Sequence, residues 1–162
     1  KKYDDSFSSN GVDRVEFMLS VNPGQPLRPL VKIASGGELS RVMLAIQTIL
    51  TTDTVETLIF DEVDTGISGS VAETVGRKLA HLGKRQQTLC ITHLAQIAAF
   101  AEHHYAVTKS TENDQTYTFI EDLDKQQAIT EIARLLDGSE ITNQALKLAR
   151  EMRKRSHSTT AN

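Results

Sequence analysis

The feature that most limits how this chain can fold is a pair of short apolar runs separated by a helical pattern. The runs are Thr57-Leu58-Ile59-Phe60 and Thr88-Leu89-Cys90-Ile91-Thr92. Each has the length and continuity of a buried strand. Between them Val71, Val75, Leu79 and Leu82 fall on one side of an amphipathic helix. Strands alternating with helices in this way predict an α/β fold, with a mostly parallel sheet flanked by helices.

The rest of the chain extends the pattern. Val15, Phe17, Leu19 and Val21 alternate with Arg14, Glu16, Met18 and Ser20, which reads as a half-buried strand closed by the turn Asn22-Pro23-Gly24. Pro26 and Pro29 keep the next stretch extended or irregular. From Leu39 the period becomes helical, with Val42, Met43, Ile46, Ile49 and Leu50 on the same face. Leu94, Ile97, Ala98 and Ala101 suggest a short helix, and 104–109 and 116–120 two strands joined by Glu112-Asn113-Asp114. Ile129, Ile132, Ala133 and Leu136 mark a helix stopped by Gly138, and a last helix runs from Ile141 to about Arg155. The chain is expected to be a single domain over 1–162, with a flexible start at 1–13 and a flexible Ser/Thr tail at 156–162.

Composition narrows the function. Lys and Arg number 18 against 21 Asp and Glu, a formal net charge of -3, which argues against a surface that coats nucleic acid throughout. The single cysteine, Cys90, rules out an internal disulfide framework, fits a reducing cytosol and is expected to be a buried core thiol. No apolar run approaches the roughly 20 residues of a membrane span, so no membrane partner is expected. The start, Lys1-Lys2-Tyr3-Asp4-Asp5, has neither an initiator Met nor an apolar leader segment. The expectation is a fragment of a longer protein.

Three constellations carry chemistry. Ser35-Gly36-Gly37-Glu38-Leu39-Ser40-Arg41 lies at the mouth of the first helix. Ser35-x-x-Glu38 reads equally as a capping box, with which any helix can begin. The two glycines, however, leave backbone N–H groups bare at a positive helix end, an anion site suited to phosphate. Next, Leu58-Ile59-Phe60-Asp61-Glu62-Val63-Asp64 ends a strand in acids, a costly arrangement unless the acids are exposed or used. There Asp61 suits Mg²⁺, directly or through water, and Glu62 is free to orient a water against a γ-phosphate. A glycosidase-like carboxylate pair is disfavoured, because adjacent strand residues point to opposite faces. Third, His93 follows the second strand, where open parallel sheets bind ligands; a lone histidine is also commonly a bland polar residue.

In this order the three resemble the second half of an ABC-type ATPase head: signature motif, Walker B with its catalytic Glu, and switch His. The resemblance implies a P-loop NTPase fold of ABC type, of which this chain is the C-terminal lobe, with ATP and Mg²⁺ as cofactors. It implies that Asp61, as the Mg²⁺ residue, and Glu62 and His93, as catalytic residues, act on nucleotide in cis. Ser35, Gly36, Gly37 and Glu38 would contact ATP in trans across a head-to-head homodimer. Asp64, Thr65, Gly66 and Ser68 correspond to the D-loop, with Ser68 in place of the usual Asp.

ABC transporter subunits, the first rival, usually carry Pro where this chain has Val63 and Gln where it has Glu38. Both departures resemble the SMC-like branch of chromosome and repair ATPases. Ala34 to Arg41, Phe60 to Gly69, Val15-Glu16-Phe17 with Asn22-Pro23-Gly24, Thr92 to Ala98 and Glu131 to Leu136 are together similar to the RecN family, over roughly residues 7–152. That resemblance implies ATP hydrolysis in recombinational repair of DNA double-strand breaks, DNA as a partner, and a bacterial cytoplasmic, nucleoid-associated site. A degenerate head acting only as an interaction scaffold is the other rival, against which intact Asp61, Glu62 and His93 argue.

The chain lacks G-x-x-x-x-G-K-[ST]; Gly83-Lys84-Arg85 has neither the upstream Gly nor the Ser/Thr. The resemblance places that Walker A motif in an N-terminal half, and its strand between the one at 88–92 and the one near 104–109. The sheet should therefore have a gap, and the chain alone should not hydrolyse ATP. Arg41 either bridges to nucleotide or a partner head, or is exposed or ion-paired. Lys147, Arg150, Arg153, Lys154 and Arg155 form a basic end, read as a solvated helix face or a phosphate contact. His103 and His104 lack further ligands at metal spacing and are expected to be structural.

Overall fold

A computed structural model describes residues 11, 15–20, 24–32, 35–50, 56–112 and 114–160. The expected flexible start, apart from Gly11, and the Asn22-Pro23 turn lie outside the described residues, as do Val21, Ala34 and Asn113.

Eleven elements follow in order, besides a 3-10 turn at Leu30–Lys32: β1 (Met18–Leu19), β2 (Arg28–Pro29), α1 (Gly36–Ile49), β3 (Thr57–Phe60), α2 (Gly69–Gly83), β4 (Gln87–Cys90), α3 (Ala95–Ala98), β5 (His104–Glu112), β6 (Gln115–Leu123), α4 (Lys125–Asp137) and α5 (Asn143–Thr160). The architecture is α/β, with three two-stranded sheets among the described residues. β3 and β4 run parallel, with Phe60 opposite Cys90. β1–β2 and β5–β6 are antiparallel. The mostly parallel sheet expected from the sequence is thus confined to the β3–β4 pair. Among the described residues, β4 pairs only with β3 and β5 only with β6.

The apolar runs are strands but not buried ones. Phe60 is 5% exposed, whereas Ile59 on the other face is 68% exposed and Ile91 60%. Side chains alternate across a strand, and among the described residues one face of this pair meets a covering helix. That cover is α2, whose Ala72, Val75, Leu79 and Leu82 join Phe60, Val63, Leu44 and Ile97 in one core. Gly76 permits the close approach of α2 to α3, since a methyl there would lie 2.6 Å from the Phe100 ring. A second core joins α3, α4 and α5 through Ala95, Ala99, Ile132, Ala133, Ala145, Ala149 and Met152. Its small residues let three helices approach closely.

Boundaries differ where local chemistry outweighs periodicity. α1 begins at Gly36, three residues before its first apolar position, because Ser35 accepts a hydrogen bond from the Glu38 amide and starts the turn early. α4 opens on a full capping box of Asp124 and Gln127, and Gly138 closes it at φ 85°. α5 continues past Arg155 to Thr160, with Ser156 buried and bonded to the Met152 carbonyl. The N-terminal strand shrinks to Met18–Leu19, leaving Val15 and Phe17 exposed. No helix among the described residues is long and apolar enough to cross a membrane.

Candidate functional site at the strand ends

β3 ends at Phe60, and the next residues turn sharply across the end of the sheet. Asp61 and Glu62 are both exposed, and Asp61 Oδ1 accepts the Glu62 amide at 2.9 Å. Glu62 has φ 57°, a left-handed conformation that is uncommon for a side chain of its size. The turn is held by the Thr65 amide donating to the Glu62 carbonyl at 3.0 Å and by Val63, which is fully buried in the core. The strain therefore serves to keep two carboxylates in solvent beyond the sheet while Val63 anchors them.

The glycine pair lies against this turn. Gly37 is buried, and a methyl there would sit 2.8 Å from the Glu62 carbonyl oxygen and 2.9 Å from Thr65 Cβ. A methyl on Gly36 would run into the Glu62 carboxylate. The negative charge of Glu62 thus faces the positive end of α1, a favourable placement. Two side chains of α1 fasten the contact further. Ser40 Oγ donates to the Asp61 carbonyl at 2.6 Å, and Arg41 Nη1 donates to the carbonyls of Val63 (3.2 Å) and Thr65 (2.8 Å). Arg41 is therefore engaged with its own chain's backbone.

Asp64 points the other way, into the protein. It is 4% exposed, and its Oδ2 accepts from Thr92 Oγ1 at 2.6 Å and from the His93 amide at 2.8 Å. His93 Nδ1 lies 3.0 Å from the same oxygen, while the ring is 73% exposed. Thr92 Oγ1 in turn accepts the Leu94 amide at 3.1 Å, just ahead of α3. Below this, the half-buried Cys90 has its pKa pushed up to about 12, chiefly by burial and further by the negative charges of Asp64 and Asp61.

The structure brings Ser35, Gly36, Gly37, Asp61, Glu62, Asp64, Thr65 and His93 to one end of the β3–β4 pair. Glu38 is used by its amide, in the Ser35 cap. Gly66 (φ 73°) and Ser68 lie on the way to α2, where Ser68 is the N-cap residue without a side-chain bond. Two exposed carboxylates offer hard oxygen donors of the kind Mg²⁺ takes, while at the start of α1 the Glu38 amide is held by Ser35 and the Glu62 carboxylate lies beside Gly36. Sequence reasoning missed the fixed bridge from Asp64 to Thr92 and His93. Its partners lie 28 and 29 positions apart, so no local pattern could signal it. Of the histidine pair, His104 is buried and bonded to the Ala101 carbonyl at 3.2 Å, while His103 is exposed.

No family model matches the chain. Curated relatives do. The DNA repair protein RecN of Vibrio cholerae serotype O1 is 52% identical over 144 residues, 88% of this chain and 26% of that protein. RecN of Xylella fastidiosa is 54% identical over 137 residues, 84% of this chain and 25% of that protein. RecN of Bacillus subtilis is 45% identical over 148 residues, 91% of this chain and 26% of that protein. The chain spans about a quarter of the length of these relatives. Among solved structures, one from work on ATP-driven dimerization and DNA-stimulated activation of SMC ATPases aligns at 19% identity, covering 72% of this chain and 70% of that chain; its TM-score of 0.48 is too low to build on.

Proposed function

Because the chain belongs, over the segment it spans, to the family of bacterial RecN proteins, we propose that it is the C-terminal part of an ATP-hydrolysing head acting in DNA repair. The observation that carries this reading is the convergence of α1's glycine end, the Asp61–Glu62 turn and His93, with Asp64 bridging the last two.

In this reading ATP with Mg²⁺ supplies the phosphoryl group and neutralises its charge, and the chain's own residues divide the remaining work. Asp61 holds the metal, directly or through water. Glu62, exposed beside it, orients and deprotonates the attacking water. His93, whose Nδ1 faces the Asp64 carboxylate and whose ring is exposed, would contact the γ-phosphate. Asp64 is a positioning residue, because it fixes the 92–94 loop from beneath. Ser35, Gly36, Gly37 and Glu38 serve a nucleotide held by a second head, in a head-to-head homodimer. The Walker A cradle comes from an N-terminal half of the same protein, so this chain alone is inactive. DNA is the polymer acted on, in the bacterial cytoplasm.

The test is ATP hydrolysis by this chain mixed with the Walker A-bearing half, with and without DNA, beside a Glu62→Gln version. Turnover by the mixture, and ATP binding without turnover by the variant, are the expected results. A mixture that binds ATP and never hydrolyses it would replace this reading with that of a scaffold.

A further inference from the structure

α5 is an unusual helix for this chain. The chain as a whole has a formal net charge of -3, yet α5 holds Lys147, Arg150, Arg153, Lys154 and Arg155 against one acid, Glu151. These cations are not scattered. Ala145, Ala149, Met152 and Ser156 form the buried face of the helix. Lys147, Arg150, Lys154 and His157 are all exposed, at spacings that place them on the opposite face. Over ten positions at the helical rise the stripe is about 15 Å long, which matches roughly four base-pair steps of duplex.

A solvated helix face gains from alternating signs, whereas Arg150 and Lys154 are like charges at i, i+4 and repel. Attraction to the helix's negative end favours cations only in the last turn, and while Lys147 stands four residues before Glu151, Arg150 has no acid four residues to either side on α5. A flank adds to the field. The half-buried Arg153 donates from Nη2 to the Glu102 carbonyl at 3.4 Å, while its Nη1 is buried with no hydrogen-bond partner among the described residues. His103, His104 and His157 gather at the same place. The His104 ring is held below its ordinary pKa first by burial and then by the charge of Arg153, with smaller contributions from His157 and His103. On the other flank Glu73 takes Arg77 (3.5 Å) and Arg155 (3.9 Å), beside the stripe and not within it.

We propose that the face of α5 carrying Lys147, Arg150, Lys154 and His157 docks on the phosphate backbone of duplex DNA. The identity of the polyanion rests on the DNA-repair reading above; the position and sign of the surface rest on α5 itself. Contacts of this kind position a duplex without reading its sequence, so binding is insensitive to base order and falls with salt.

The test is fluorescence anisotropy of a labelled duplex titrated with the full chain over a salt series. Arg150→Glu combined with Lys154→Glu is compared with the unaltered chain, and with a charge-matched control, Arg28→Glu with Lys32→Glu. All four residues are exposed, so unchanged unfolding midpoints verify the folds. The expected result is a loss of about tenfold or more in affinity for the α5 variant, with the slope of log affinity against log salt reduced by about 2, and little change for the control. Equal losses in both variants would show a net-charge effect and overturn the proposal. So would equal binding by all three proteins, no binding by the unaltered chain, or capture by anionic lipid vesicles in place of duplex. Each of these leaves the nucleotide reading to its own Glu62→Gln assay, so the two ideas fail separately.

Discussion

Asp64 and His93 are joined twice through one oxygen: Asp64 Oδ2 accepts the His93 amide at 2.8 Å and faces the His93 ring Nδ1 at 3.0 Å. The carboxylate is buried, and the ring it orients is in solvent. Replacing Asp64 by Ala should therefore cost about 2–4 kcal/mol, since Thr92 Oγ1 and the His93 amide lose their acceptor inside the protein. Asp64→Asn keeps the volume and one acceptor and should cost less. Urea unfolding of the two variants checks the order; equal stability of Ala and wild type would mean that the bridge is not structural.

The two glycines of α1 should respond differently to the same methyl group. At Gly37 an alanine meets the backbone of Glu62 and Thr65, which cannot give way, and a loss of about 1–3 kcal/mol is expected. At Gly36 it meets only the end of the Glu62 side chain, which can swing aside, and stability should stay within about 0.5 kcal/mol. Thermal unfolding of Gly36→Ala and Gly37→Ala separates the cases.

Glu62 stands at φ 57°, where glycine is at ease and glutamate is strained. Glu62→Gly should leave stability unchanged or raise it by up to about 1 kcal/mol, while abolishing ATP turnover when the chain is joined to its Walker A half. A clear loss of stability would show that the Glu62 side chain supports the fold through its contact with α1.

Burial raises the Cys90 thiol from 9.0 to about 12, with Asp64 and Asp61 adding to the shift. A raised folded-state value means that the native state keeps its proton longer than the unfolded chain does. Stability from this group is thus complete below pH 9.0 and declines as pH rises from there towards about 12. Cys90 should resist iodoacetamide at neutral pH and react readily once urea unfolds the chain, with the alkylation rate following unfolding.

Much of this could be read along the chain. The helical spacing of Val71 to Leu82 became α2, the apolar runs became β3 and β4, and the two strands expected from His104 onward became the antiparallel pair β5 and β6. Such features depend on neighbours in sequence. The exposure of Ile59 and Ile91 does not, because apolarity marks a strand as fit for burial without telling which faces find a cover. The site divides the same way. Glycines, acids and histidine were visible as types, but the bond from Asp64 to the 92–94 loop and the grip of Arg41 on Thr65 needed two distant segments to meet. The polar final turns of the last helix point to an end near Arg155, whereas the helix runs to Thr160 with Ser156 buried.

The shortest helix has the widest reach. α3 is one turn long, yet Ile97 belongs to the core beneath the strands while Ala95 and Ala99 belong to the core among the helices. It begins two residues after His93, at the end of the loop that Asp64 grips. One turn is therefore shared by two packed bodies. The loop carrying His93 and the packing face of α5 are thus separated by a single turn of helix.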